Sequence, residues 1–265
     1  MSTYVLSDSA TMLRRNLRHL RRYPSLTVLI IGMPVVFLLL FVYVFGGTLG
    51  SGLGPGVPGA ATGGRAAYAN YVAPAIIVLT AAAVAQGTAI SVATDMTEGI
   101  VDRFRTMAIA RSSVLAGHVL GSLIQSVLGM AVVTAIALGV GFRPTATPLE
   151  WLAAAGLLVL TALAFTWLTV ALGLAAKSVE TASNTPMFLL LLPFLGSGFV
   201  PTRSMPAGLR WFAGYQPFTP VTETLRGLLL GTGIGHQGGL AIAWCAVIAL
   251  GSYLWALHLY GRRRA

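Results

Sequence analysis

Residues 26–45 read LTVLIIGMPVVFLLLFVYVF, twenty positions without a charge or a side-chain amide. As a helix rising about 1.5 Å per residue, such a run is about 30 Å long, the thickness of a bilayer's hydrocarbon core. A helix on the surface of a soluble protein needs a polar face, and this one has none. The composition of the whole chain agrees. Of 265 residues, 56% are hydrophobic and 9% charged, against about 25% charged in soluble domains. So few charges cannot cover a water-facing surface, which excludes a soluble single-domain enzyme. The apolar content excludes disorder. The single cysteine, Cys245, excludes a disulfide scaffold and any cysteine-based zinc or iron–sulfur site. The chain reads as all-α and integral to a membrane, with room for about six spans.

Outward from 26–45, further spans are expected at 71–93, 115–140, 151–175 and 240–260. Upstream, Arg14, Arg15, Arg18, Arg21 and Arg22 oppose a stripe of Leu6, Leu13, Leu17 and Leu20. Over residues 6–23 that pattern predicts a basic amphipathic helix lying on the membrane surface. Between the first two spans, nine of the nineteen residues 46–64 are glycine, the composition of a flexible loop that cannot pack. The apolar run 186–200 has only 15 residues, roughly 22 Å of helix. A fifth span must therefore begin near Glu180 and end before Pro201. Residues 201–233 are partly apolar but broken by Pro201, Pro206, Pro217 and Pro220. They read as an external re-entrant or interfacial helical hairpin before the sixth span.

The basic residues orient this topology. Twelve of the 17 Lys and Arg fall at the two termini and in the loops after the second and fourth spans, and five on the opposite side. The positive-inside rule then puts both termini in the cytoplasm. The formal net charge of +10 is read as topology and attraction to anionic lipid headgroups rather than nucleic-acid binding.

Two segments carry candidate chemistry. Within 94–112, the stretch Glu98-Gly99-Ile100-Val101-Asp102-Arg103-Phe104-Arg105-Thr106-Met107 places Ile100, Phe104 and Met107 on one helical face, with charges around them. A short amphipathic helix with an aromatic in its stripe can dock in a partner's groove; the plainer reading is a solvated loop. Outside, Thr219 is expected to cap a helix with Pro220 at its first position and Glu223 in its first turn. Arg226, three residues on, can pair with Glu223. Gln86 and Gln125 lie inside spans and read as interhelical hydrogen-bond partners or pathway residues. Other matches fail on spacing. Ala176-Lys177-Ser178 lacks the glycines of a phosphate loop. Gly196-Ser197-Gly198 has no general base within reach. His19, His118 and His236 have no metal spacing. No acid or base sits centrally in a span, which argues against a proton-coupled antiporter.

Three blocks together resemble the permease subunit of type-2 ABC exporters, in particular the actinobacterial daunorubicin-resistance branch. They are residues 95–111, with their acid, Glu-Gly and Arg-Phe-Arg; residues 176–184; and residues 198–226, with Gln216-Pro217-Phe218-Thr219-Pro220. Members often carry Asn before that proline and a proline near Met107-Ala108. The resemblance implies a six-helix permease in the bacterial cytoplasmic membrane, working as a dimer, with a homodimer favoured. It implies two separately encoded ATP-binding subunits that hold ATP and Mg, no cofactor on this chain and no enzymatic activity of its own. Glu98, Gly99, Ile100, Asp102, Arg103, Phe104, Arg105, Met107 and Arg111 would form the ATPase-coupling segment, and Pro217, Glu223 and Arg226 the external gate. An amphiphilic drug, antibiotic or lipid-like substrate would move outward. Rival readings are an ATP-independent channel or carrier, glycan export by the same architecture, or an assembly protein without transport.

Overall fold

A computed structural model describes residues 24–53, 63–97 and 111–262. The surface helix expected over 6–23 and the coupling stretch 98–107 lie outside the described residues. Among the described residues every regular element is helical. Helix α1 (Pro24–Leu39) runs into a π turn (Leu40–Phe45) and a short α2 (Gly46–Ser51). Then come α3 (Gly64–Thr97), α4 (Arg111–Val140) and α5 (Pro148–Ala175). The short α6 (Val179–Asn184) and α7 (Met187–Leu191) follow, the latter leading into a 3-10 turn. Helices α8 (Ala207–Tyr215), α9 (Phe218–Leu230) and α10 (Gln237–Arg262) complete the chain.

Among the described residues five helical stretches are long and apolar enough to cross a membrane: Val28–Ser51, Gly64–Thr97, Leu115–Val140, Pro148–Ala175 and Gln237–Leu259. They answer to five of the six expected spans. The remaining one, expected over 180–200, is broken. Ser178 caps α6 through Thr181 N, but Pro186 supplies no N–H and obstructs the preceding turn. Pro193 and Gly196 then reduce the chain to 3-10 geometry and an extended residue. The described residues there form short interrupted helices in place of the one regular helix expected.

Burial sorts the long helices. In the most apolar window of α3, 72% of residues are buried, and in that of α5 61%, against 17% for Val28–Ser51, 28% for α4 and 22% for α10. Helices α3 and α5 therefore form the interior, while the others turn Val28, Leu128, Val247 and Leu250 outward. The sequence of α3 explains its position. It holds eleven alanines, and small side chains let helices approach closely where lipid offers no hydrophobic drive between them. The contact is tightest at Gly173 of α5, where a β-carbon would lie 2.7 Å from the Ala89 carbonyl oxygen. Helix α5 starts on a capping box: Thr147 accepts from Glu150 N, Glu150 accepts from Thr147 N, and Pro148 takes the first turn.

The connections gather at opposite ends of the bundle. Near the start of α3, Arg143 N donates to Asn70 Oδ1 (2.8 Å), Tyr68 Oη to the Phe199 carbonyl (3.0 Å) and Arg203 to the Leu53 carbonyl. Thr145 N reaches the Leu229 carbonyl there as well. Toward the other end of α3, Gln86 Nε2 donates to the Ser183 carbonyl (3.0 Å) and His118 meets Asp95. Successive antiparallel crossings give this alternation. The glycine-rich stretch departs from expectation, because its first six residues are helix α2 and not loop. Gly50 is buried so tightly on Gly64 that any β-carbon would overlap the Gly64 carbonyl.

Gly173→Ala should lower stability by about 1–3 kcal/mol through overpacking. Gly156→Ala, with no neighbour within 4 Å, should be neutral or slightly stabilising, since Ala is the better helix former by up to ~1 kcal/mol. Thermal exposure of the buried Cys245 thiol to a maleimide dye in detergent ranks the two. Equal midpoints would mean that the α3–α5 contact does not limit stability.

Candidate functional site

The sequence Gln216-Pro217-Phe218-Thr219-Pro220 turns the chain from α8 into α9. Gln216 acts as the cap here, its Oε1 accepting from Phe218 N at 3.0 Å. Its Nε2 donates to the Leu192 carbonyl (3.3 Å) and to Thr219 Oγ1 (3.2 Å). This corrects the expectation for Thr219. The helix begins two residues earlier, at Phe218, with Pro217 at the capping position. Thr219 lies inside the first turn, and its hydroxyl accepts from Ser197 N at 3.1 Å instead of capping α9. Glu223 is accordingly beyond the first turn and is not placed to answer the helix dipole.

Gly196 is what lets Gln216 and Thr219 reach the broken segment. A β-carbon there would lie 2.2 Å from Gln216 Nε2 and 2.6 Å from Thr219 Oγ1. The Gly-Ser-Gly sequence is thus a docking surface for α9. The Ser197 hydroxyl is buried without a hydrogen-bond partner, so it lacks the base that a nucleophile requires.

About two turns beyond Thr219 on α9, Arg226 is the largest fully buried side chain among the described residues, 1% exposed. Its Nη1 donates to Glu223 Oε1 at 2.6 Å, and Glu223 remains 29% exposed. Nη2 donates to the Tyr71 carbonyl (2.8 Å) and the Ser197 carbonyl (3.2 Å), and Nε to the Tyr71 carbonyl (3.3 Å). The guanidinium also lies over the Tyr71 ring, 3.9 Å from its centroid. Tyr71 Oη donates to the same Ser197 carbonyl at 2.7 Å. The pair expected from three-residue spacing is therefore present, but it is one side of a larger node joining α9, α3 and the broken segment.

Of the other candidates, Pro217 stands beside this node as the residue opening α9. Gln86 is half-buried and binds α6 through Ser183, as an interhelical tie would. Gln125 is half-buried on α4, away from that bond. Arg111 begins α4, and Glu98, Gly99, Ile100, Asp102, Arg103, Phe104, Arg105 and Met107 lie outside the described residues. Among the described residues no cluster of His, Cys, Asp and Glu could hold a metal. Gly196 figured in the sequence only in the rejected Gly-Ser-Gly match and Gln216 only in the family resemblance, while Tyr68 and Tyr71 went unread. The signal available for the latter was two tyrosines three residues apart at the start of an otherwise alanine-rich span.

With a polytopic helical bundle and this node in place, comparison with known proteins becomes decisive. The model of the ABC-2 type transporter family matches residues 9–230. The chain belongs to that family. It is 27% identical over 261 residues to the daunorubicin resistance ABC transporter permease protein DrrB1 of Streptomyces coeruleorubidus, covering 98% of this chain and 88% of that one. It is 28% identical over 192 residues to ABC transporter G family member 20 of Dictyostelium discoideum, of which it spans only 25%. The protein is the membrane permease subunit of an ABC exporter, multi-pass and not an enzyme on its own; the family implies an ATP-binding partner subunit.

The 1% and 29% exposures set unequal costs on α9. Glu223→Ala leaves a buried cation without its carboxylate and should cost about 3–5 kcal/mol. Arg226→Met leaves a carboxylate that water can reach and should cost only about 1–2 kcal/mol. The double variant should be more stable than Glu223→Ala alone, as read from melting midpoints in detergent. Simple addition of the two losses would show that the residues act separately.

Proposed function

We propose that two copies of this permease form a homodimer in the bacterial cytoplasmic membrane and export an amphiphilic drug-like substrate, driven by two ATP-binding subunits. Both termini face the cytoplasm. The broken segment 179–200 is the fifth of six crossings, and residues 201–233 form an external hairpin whose Pro217, Glu223 and Arg226 shape the outer gate. Glu98, Gly99, Ile100, Asp102, Arg103, Phe104, Arg105, Met107 and Arg111 form the contact with the ATP-binding subunit.

The observation that carries this reading is the span of α3. Its 34 residues make a rod of roughly 50 Å. It runs from the Arg226 node at one end to segment 98–110 at the other. A displacement imposed on that segment when ATP closes the partner subunits would reach the hairpin through one continuous helix, as rigid-body transmission requires. The fifth crossing is supported by two bonds to α3: Ser183 is held by Gln86 and Ser197 by Tyr71. Fifteen residues of helix separate those two partners on α3, roughly 22 Å of travel along the bundle. The twelve-to-five distribution of basic residues supports the cytoplasmic assignment of the termini. The substrate class is supported by the resistance permease that the chain resembles across 98% of its length.

Phe104→Ala should reduce the ATPase rate of the assembled complex by roughly tenfold or more, since burying a phenyl ring at a packed contact is worth about 3–5 kcal/mol. Permease abundance should stay the same. The measurement is phosphate release by the permease co-purified with its ATP-binding subunits in lipid nanodiscs. An unchanged rate would reduce residues 98–107 to a solvated loop. Topology is checked separately in a Cys245→Ser background, where Ser51→Cys should react with an impermeant maleimide from outside the cell. Reaction only from the cytoplasmic face would invert the assignment.

A further inference from the structure

We propose that Asp95 and His118 are positioning residues for the coupling of ATP hydrolysis to transport, clamping together the two helix ends that carry segment 98–110. This rests on the reading of that segment as the contact with the ATP-binding subunit. Helix α3 ends at Thr97, two residues past Asp95, and α4 begins at Arg111, seven before His118. His118 Nε2 lies 3.1 Å from Asp95 Oδ2, and the two side chains are only 6% and 11% exposed. A bond between ionisable groups at that burial is stronger than one in water, and separating the partners would break it in a poorly solvated place.

A second rung lies one turn deeper. Ser122 follows His118 by four residues and so shares its face of α4. Its hydroxyl accepts from Thr88 Oγ1 of α3 at 2.8 Å and meets Thr166 Oγ1 of α5 at 3.1 Å. Beside the two rungs lies an apolar cluster, with Val92, Leu115, Val119 and Leu174 among its described residues, that is separate from the main core. Apolar contact is non-directional, and the polar rungs supply the directional part of the junction. With the ends clamped, force on segment 98–110 moves α3 and α4 as one body and continues along α3 to Tyr71 and Arg226. Without the clamp, the same force splays the two helices and is dissipated locally.

The test uses the permease co-purified with its ATP-binding subunits in nanodiscs. Asp95→Ala and His118→Ala should each lower the ATPase rate by roughly tenfold, the effect of losing a charge-assisted hydrogen bond, with retention of the ATP-binding subunits unchanged. The exchange Asp95→His with His118→Asp should restore most of the rate, which a requirement for either residue alone would not allow. Full activity in both alanine variants, or an exchange variant as slow as they are, overturns the clamp. Should the alanine variants fail to accumulate, Asp95→Cys with His118→Cys in a Cys245→Ser background replaces them. Bridging the thiols with a bis-methanethiosulfonate reagent should raise the rate and reductive release should lower it. A rate indifferent to bridging overturns the proposal. Phe104→Ala, run alongside, separates the two ideas. If Phe104→Ala is slow and the pair variants are not, the clamp alone falls. If Phe104→Ala is also at full rate, the coupling segment itself has been misassigned.

Discussion

A guanidinium that is 1% exposed must find its hydrogen-bond acceptors inside the protein, because an unpaired buried charge costs several kcal/mol. Arg226 finds them on three elements at once: Glu223 on its own helix, the Tyr71 carbonyl on α3 and the Ser197 carbonyl on the broken segment. Its neighbours make sense only in this light. Tyr71 provides a ring for the cation and a hydroxyl for the carbonyl that the cation also binds. Gly196 has no β-carbon, so Gln216 and Thr219 can approach its backbone. The prolines and glycines that interrupt 186–201 leave carbonyls free of helix bonds, and those carbonyls become the acceptors. Irregular backbone within a membrane bundle is tolerated where protein satisfies it, and here Arg226, Tyr68, Tyr71 and Gln216 share that task.

Helix α3 links this node to the rest of the molecule. Its alanines let α1, α4 and α5 come close, and its largest fully buried side chain, Tyr68, sits at the node end. The far end carries Asp95 and leads into the segment proposed to meet the ATP-binding subunit. A permease must convert a movement on one side of a membrane into a change of access on the other. A single stiff helix, anchored by polar contacts at both ends and by close small-residue packing between them, suits that task because packed interiors shift as units rather than deform smoothly.

Family membership and architecture fit each other without either substituting for the other. An ABC-2 permease has to be a membrane bundle that works with a separate ATP-binding subunit, and that is where the match over residues 9–230 puts this chain. The resistance permease and the G-family transporter share the permease pattern while differing in total length, since this chain spans 88% of one and 25% of the other.

The sequence by itself determined the solvent. Runs such as 26–45 match the thickness of a bilayer's hydrocarbon core without a charge, and hydrophobicity is additive along a chain, so five span positions follow from counting. It also determined the Glu223–Arg226 pair, because three-residue spacing on a helix is a local property. Only the tertiary structure decided that Arg226 is buried against residues 155 and 29 positions away, that His118, one of several scattered histidines in the sequence, meets Asp95, and that Thr219 binds Ser197 instead of capping α9. Each of these depends on how a broken segment lies against α3. A proline predicts that a helix stops; it does not say where the released carbonyls will point. That direction is set by the packing of the alanine-rich helix beside them, and no periodicity within either segment encodes it.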